Sequence, residues 1–331
     1  MESMEDSSSS SSSSLPKIIL IKPPSIFLQF EHQFSRHFHF LKAYESPLPL
    51  PSFLAAAESV GVAAMFVTYN GPPITAETVL DHIPSLRCIV STTAGVDYID
   101  LDECRRRGIL VANAAGVSST DCADFAVGLV VDVLRRVSGG DRFVRSGGWC
   151  GGEFRLGRRL SGKTVGIVGL GRIGSGVAKR LHAFNCNILY NSRNKKPSVP
   201  YSFYSDVCEM AADSDLLVIC CSLSDQTRHM INKEVLTALG KDGIIVNVAR
   251  GPIIDEKELV RFLLEGRIAG AGLDVFEHEP CVPKELFSLD NVVLGHHQAP
   301  FTEDCFVDLF ELVKGNFEAF FANKPLLTPV A

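Results

Sequence analysis

The stretch Val165-Gly-Ile-Val-Gly169-Leu-Gly171-Arg-Ile-Gly174-Ser-Gly176 sets a glycine-rich turn between an apolar run and an amphipathic one. The run Thr164–Val168 reads as a buried strand, and residues 172–184 read as a helix with Ile173, Val177 and Leu181 on one face. In that context each glycine has a task. Gly169 permits the tight turn, Gly171 lets the backbone approach a pyrophosphate, and Gly174 lets the helix pack closely on the strand. The free N–H groups at the start of such a helix attract phosphate. Gly169, Leu170, Gly171, Arg172, Ile173 and Gly174 are therefore expected to hold a dinucleotide.

The following strand, 188–190, leads to the place where this arrangement usually carries an acid for the adenosine ribose. The chain has no carboxylate there. It reads Asn191-Ser-Arg-Asn-Lys-Lys196, beginning twenty-two residues after Gly169. Arg193, Lys195 and Lys196 suit a 2′-phosphate, and Asn191 and Ser192 can hydrogen-bond to it. The expected cofactor is NADPH, with NADH weaker. Read blandly, the same run is a solvated basic loop.

Outward from this turn, apolar and helical patterns alternate, which predicts parallel α/β sheets. Strands are expected at 18–21, 63–69, 88–92 and 109–111, with helices near 53–60, 75–82 and 101–107. One long helix is expected over 118–145, capped by Ser118 or Ser119 and ended by Gly147-Gly148. Six more strands follow, at 165–168, 188–190, 216–220, 244–247, 270–274 and 292–294, then a phenylalanine-rich helix at 302–321. The fold class is thus α/β, with two doubly wound parallel-sheet domains. A Rossmann-type nucleotide domain (113–298) is inserted in a flavodoxin-like substrate domain (15–112 and 299–331), with a cleft expected between them.

Composition narrows the function classes. The 331 residues are 46% hydrophobic and 21% charged, with a formal charge of −6, which disfavours broad binding to nucleic acid or anionic membrane. Ten cysteines without a CxxC pair suit reduced, buried thiols in a cytoplasmic setting. Residues 1–14, rich in serine and acids, read as a disordered tail rather than an arginine-rich transit peptide. Neither a membrane span nor a peroxisomal tripeptide is read, and no metal site is expected.

Chemistry should gather at the strands' carboxyl ends. Ser222 and Ala249 follow two of them and are expected to line the cofactor. Arg250, after strand 244–247, can grip a carboxylate bidentately. An acid from Glu277-His278-Glu279 and a histidine from His296-His297 converge from neighbouring strand ends. A carboxylate bonded to one imidazole nitrogen fixes the tautomer and leaves the other nitrogen as a proton donor, which suits carbonyl reduction.

These segments resemble the D-isomer-specific 2-hydroxyacid dehydrogenases along nearly the whole chain after the tail. Gly169-Leu-Gly-Arg-Ile-Gly174, Asn247-Val-Ala-Arg-Gly251, Leu273-Asp-Val-Phe-Glu-His-Glu-Pro280 and the histidine segment stand in the family's order. Within the family they are most similar to plant-type glyoxylate/hydroxypyruvate reductases, which implies a preference for NADPH. The resemblance implies Arg250 as substrate-binding arginine, Glu279 as the dyad acid and His297 as acid/base. It also implies that Asp274 contacts the nicotinamide amide or supports the dyad. Backbone amides at Ala94, Gly95 and Val96, within Ser91-Thr-Thr-Ala-Gly-Val-Asp97, would hold the substrate carboxylate. Where the family has Pro-His, this chain has His296-His297, and alignment from Asn291 to Thr302 puts His297 on the catalytic position. Glu277 is expected to be exposed, and the single tryptophan, Trp149, is expected near the cleft, at an interface or in packing.

The expected reaction is reduction of small 2-keto acids, glyoxylate to glycolate and hydroxypyruvate to D-glycerate. A hydroxyphenylpyruvate reductase is the alternative within the family. A dinucleotide-sensing co-repressor is the alternative outside enzymology, disfavoured by the missing ribose acid and the lack of a long C-terminal tail. By analogy the chain is expected to form a homodimer through the nucleotide domain.

Overall fold

The computed structural model describes residues 15–330, so the serine-rich tail lies outside the described residues. The chain divides into two compact units. The first comprises the described residues through Ala115 together with those from Phe306, and the second is Gly116–Cys305.

In the first unit the strands are β1 (Lys17–Leu20), β2 (His39–Lys42), β3 (Ala64–Val67), β4 (Cys88–Ser91) and β5 (Leu110–Ala112). They form one parallel sheet in the order β2-β1-β3-β4-β5. The central strands β3 and β4 are buried at every residue, as a sheet covered on both faces requires. Helices α1 (Ser25–Phe34), α2 (Leu50–Ser59) and α3 (Leu101–Arg107) connect them. α3 is delimited chemically: the Asp100 carboxylate accepts from the Glu103 N–H at 2.9 Å, and Gly108 ends the helix at φ 67°. Phe310 and Phe317, on the last helix α10 (Glu303–Phe321), join an aromatic core. Phe310 meets Phe34 at 4.7 Å, and Phe317 meets Phe66 at 5.8 Å, both edge-on.

The second unit begins with α4 (Ser119–Arg135) and α5 (Val137–Arg145). Its strands are β6 (Thr164–Val168), β7 (Asn187–Asn191), β8 (Ser202–Tyr204), β9 (Leu216–Ile219), β10 (Ile244–Asn247), β11 (Gly270–Leu273) and β12 (Val292–Leu294). All seven are parallel, in the order β12-β11-β10-β9-β6-β7-β8. Helices α6 (Arg172–Ala183), α7 (Val207–Ala212), α8 (Lys233–Leu239) and α9 (Glu256–Leu264) cover the sheet. α4 reaches both α6 and the sheet because glycines face it. A Cβ on Gly176 would stand 2.9 Å from that of Ala123, and one on Gly270 would stand 3.1 Å from the Val133 side chain.

Four expectations need correction. The helix expected over 118–145 is two helices, because Arg136 adopts the left-handed conformation (φ 56°, ψ 43°). The Asp132 carboxylate then accepts from the Ser138 N–H at 2.8 Å and stabilises the restart. Residues 75–82 form no α-helix but a hydroxyl-stabilised turn, in which Thr75 and Thr78 each receive the other's backbone N–H on the side-chain oxygen, followed by a single 3-10 turn at Leu80–His82. The second sheet has seven strands, not six: β8 is a short edge strand with no fully buried residue, as is β2 in the first sheet, so neither carries an apolar run to announce it. The cysteines are all free, but only five of the ten are buried, while Cys150 and Cys281 are exposed.

Candidate active site

The glycine turn follows β6 at the point where the chain order reverses across the sheet, between β6 and β9. Gly169 takes φ 94° and donates its N–H to the Asn191 carbonyl at 2.8 Å. A Cβ there would fall 2.6 Å from the Cys221 backbone, and one on Gly174 would fall 2.1 Å from the Gly169 carbonyl oxygen. A Cβ on Gly171, by contrast, would meet nothing within 4 Å. The turn is therefore packed from behind by the chain and open in front.

In front lies a cavity of about 1140 Å³ lined by Gly169, Leu170, Gly171, Ser222, Thr227 and the 191–197 loop. Its size, and the glycine turn that lines it just before α6, fit a dinucleotide. Arg193 and Lys195 line it and are exposed. Asn191 is committed elsewhere: its carboxamide donates to the carbonyls of Tyr204 (2.9 Å) and Ser205 (3.1 Å), fastening β8. Ser192 donates to the Asn194 carbonyl at 2.7 Å. The Lys196 ammonium is hydrogen-bonded to the Leu170 carbonyl, so it braces the glycine turn. Asp206 also lines the cavity and was not picked out from sequence. It lies beyond the unforeseen β8, and its carboxylate accepts from the Glu209 N–H at 2.9 Å to cap α7.

The second cluster stands past the ends of β10, β11 and β12. After β10 the fully buried Asn247 organises the turn: its side-chain oxygen accepts from the Ala249 N–H at 3.0 Å, and its side-chain amide donates to the Arg250 carbonyl at 2.9 Å. The sequence marks it only as the first residue of the Asn247-Val-Ala-Arg-Gly251 motif and gives it no role, since a strand-terminal asparagine is common. Gly251 then passes within contact of the next loop, where a Cβ would lie 1.9 Å from the Phe276 carbonyl carbon.

Past β11, Asp274 is wholly buried. Its two carboxylate oxygens accept from the N–H groups of Gln298 and Ala299, each at 2.9 Å, and its carbonyl accepts from the His297 N–H at 2.7 Å. Burial pushes its carboxyl up, while the two backbone donors pull the other way. The loop 295–299 is thus wound around this carboxylate, with His297 at φ 62°.

That winding delivers the imidazole to Glu279. His297 Nδ1 lies 2.8 Å from Glu279 Oε2, while Glu279 Oε1 accepts from the Phe276 N–H at 3.1 Å. Burial works to raise the Glu279 carboxyl, but the hydrogen bond and charge of His297, the Phe276 N–H and the Arg250 guanidinium together hold it below the ordinary range. The pair forms at His297. His296 is exposed, its ring 6.3 Å from that of Phe301.

Glu277 is not the exposed residue expected. Its side chain is 17% exposed and accepts or shares a hydrogen bond with His229 Nε2 at 2.7 Å, and its N–H donates to Glu256 at 3.0 Å. Trp149 is 74% exposed in a short turn at Gly148–Cys150, so it does not pack within its unit.

Within the first unit, Ala94, Gly95 and Val96 lie on the loop that leaves β4. None of their three N–H groups reaches an acceptor among the described residues. Among those residues no cluster of histidine, cysteine and acids is arranged to hold a metal ion, and no helix is long and apolar enough to cross a membrane.

Residues 127–299 match the family model of the D-isomer specific 2-hydroxyacid dehydrogenase NAD binding domain. The glyoxylate/hydroxypyruvate reductase HPR3 of Arabidopsis thaliana is 50% identical over 96% of this chain and 98% of its own. The hydroxyphenylpyruvate reductase of Plectranthus scutellarioides is 44% identical over 95% and 98%. Among solved structures, the NADPH-dependent glyoxylate/hydroxypyruvate reductase of Sinorhizobium meliloti, in complex with NADP and malonate, superposes with a TM-score of 0.86. It is 33% identical, covering 96% of this chain and 97% of that one.

Proposed function

The chain belongs to the D-isomer specific 2-hydroxyacid dehydrogenases, NAD(P)-dependent oxidoreductases, and on that footing we propose that it reduces glyoxylate and hydroxypyruvate with NADPH. The observation that carries the reading is the 2.8 Å His297–Glu279 pair standing with Arg250 past the ends of adjacent strands. Each unit has one element suited to a carboxylate: the Arg250 guanidinium in the second, and the amides of Ala94, Gly95 and Val96 in the first.

The dinucleotide would rest on the glycine turn, with Ser222 and Ala249 at the neighbouring strand ends and Asp274 beneath the dyad. When bound, its dihydronicotinamide supplies the hydride. Arg250 holds the 2-keto acid by its carboxylate and polarises it. Glu279 accepts from Nδ1 and fixes the ring, so that His297 Nε2 presents a proton to the carbonyl oxygen as the new C–H bond forms. The carbonyl π electrons become the alkoxide pair that takes this proton, and the product is the 2-hydroxy acid.

The preference for NADPH rests on Arg193 and Lys195, which line the cavity where a ribose acid is missing. Ser192 and Asn191 shape that loop. Following absorbance as the protein meets each cofactor with glyoxylate, hydroxypyruvate and hydroxyphenylpyruvate tests the whole reading. NADPH consumption with the two small acids is expected, and none with any 2-keto acid would overturn it. Arg193→Asp should erase the preference over NADH. Faster turnover of hydroxyphenylpyruvate would favour the aryl reading, which the Plectranthus relative supports.

The same proposal includes a homodimer and cytoplasmic residence. α5 contributes no buried side chain to its own unit, while Leu156 is 93% and Trp149 74% exposed. Apolar surface of that kind suits an interface, and the proposed occupant is a second copy of the chain.

A further inference from the structure

Resting on the proposed keto-acid chemistry, we infer that Thr93, with Ser91, Tyr98 and Asn113, is a positioning residue that aims the amides of Ala94, Gly95 and Val96 at an incoming carboxylate. The argument is an account of backbone hydrogen bonds in this loop. Every carbonyl from Thr93 to Val96 has a donor within the unit. Thr93 O receives the Ala114 N–H at 3.1 Å, Ala94 O the Asn113 side-chain amide at 2.7 Å, Gly95 O the Thr93 hydroxyl at 2.6 Å, and Val96 O the Ile99 N–H at 2.9 Å. The N–H groups of residues 94–96 have no acceptor among the described residues. A short run of amides freed on one side, with all carbonyls tied down on the other, is a concave anion receptor.

Two side chains decide this polarity. The Thr93 hydroxyl reaches forward to Gly95 O, and the Thr93 N–H turns back to the Ser91 hydroxyl at 3.0 Å. Ser91 is fully buried at the end of β4 and also meets the Tyr98 hydroxyl at 2.7 Å. Asn113 is held in turn: its side-chain oxygen accepts from the Ala115 N–H at 3.1 Å, and its carbonyl accepts from the Thr328 hydroxyl at 2.6 Å. Thr328 is anchored by the wholly buried Asn316, at 3.2 Å on α10. The C-terminal segment therefore backs the loop through a continuous polar chain. Without the Thr93 hydroxyl, Gly95 O loses its donor, and the peptide that presents the Val96 N–H is released to rotate.

The test is titration calorimetry of oxalate, a carboxylate with no reducible carbonyl, into NADP⁺-loaded full-length protein, beside steady-state kinetics. Thr93→Val keeps the shape and removes the hydroxyl, whereas Thr93→Ser keeps it. The expected result is about tenfold weaker oxalate binding and a KM for hydroxypyruvate raised about tenfold in Thr93→Val, or ~1.4 kcal/mol. Thr93→Ser should lie within about twofold of the unchanged protein, with the KM for NADPH the same in all three, on the scale of one lost hydrogen bond. Should Thr93→Val fold poorly, Tyr98→Phe supplies the second variant, with a smaller loss in the same direction expected. Oxalate affinity unchanged in Thr93→Val or, where that variant folds poorly, in Tyr98→Phe, or equally weak in Thr93→Ser, or absent from the unchanged protein, would overturn the inference. Oxalate binding without turnover of any keto acid would overturn the proposed reaction and leave the receptor standing.

Discussion

At the residue scale the dyad is decided by what surrounds Glu279. Its folded carboxyl is held below the ordinary range, so the contribution of the His297 pair to stability is present above the unfolded carboxylate pKa. It is lost as pH falls through the lower folded value. Glu279→Gln should accordingly melt below the unchanged protein near neutral pH, with the gap narrowing in acid once pH falls below the ordinary carboxylate range. Denaturant midpoints at the two pH values check this, and a gap that widened in acid would refute it. In kinetics the same substitution should lower kcat/KM about a hundredfold, within the usual range for a positioned acid/base group. That an arginine, an acid and a histidine follow neighbouring strand ends, where a doubly wound sheet gathers its ligands, was legible in the sequence; the choice of Glu279 over Glu277 and of His297 over His296 came from the family resemblance. The turn-organising role of Asn247 and the His229–Glu277 pair were not legible, since both depend on how the turns after β10 and β11 lie against their neighbours.

At the element scale, the glycine turn and the central strands were readable from their continuous apolar runs. β2 and β8 were hidden because an edge strand with one wet side carries no such run. The break between α4 and α5 escaped for a related reason: the apolar period continues through it, and only Arg136's left-handed backbone reveals it. An arginine there carries a Cβ penalty that glycine does not, while glycine gives up unfolded-state entropy in return. Arg136→Gly should leave stability within about 0.5 kcal/mol, whereas the β-branched Arg136→Val should lower it by about 1–2 kcal/mol. Urea unfolding of both variants decides it. Equal effects would mean that the joint does not constrain the protein.

At the scale of the whole molecule, the order of the units along the chain followed from alternation and from the phenylalanine-rich final helix, whose rings complete the first core. An interface in the region on and after α5, with Trp149 as one candidate for it, was expected by analogy alone, because burial within a unit cannot be told from burial by a partner in a single sequence. If a second copy covers it, light scattering should give about twice the chain mass. The pair Trp149→Glu with Leu156→Glu should then yield monomers that keep a folded nucleotide unit. A monomeric unchanged protein would dismiss that assembly.

The carboxylate of Asp274 carries a consequence of its own. Gly295, through a missing Cβ that would otherwise lie 2.2 Å from Asp274 Oδ1, and the N–H groups of residues 298 and 299 all close upon that one anion. The segment is in effect a chelate loop whose central ion is a side chain of the same chain. The address of the histidine is therefore measured from an internal charge rather than counted from the end of β12. Position 296 faces outward and takes no part in that measure, whereas an inserted residue anywhere from 295 to 299 would unseat the imidazole entirely.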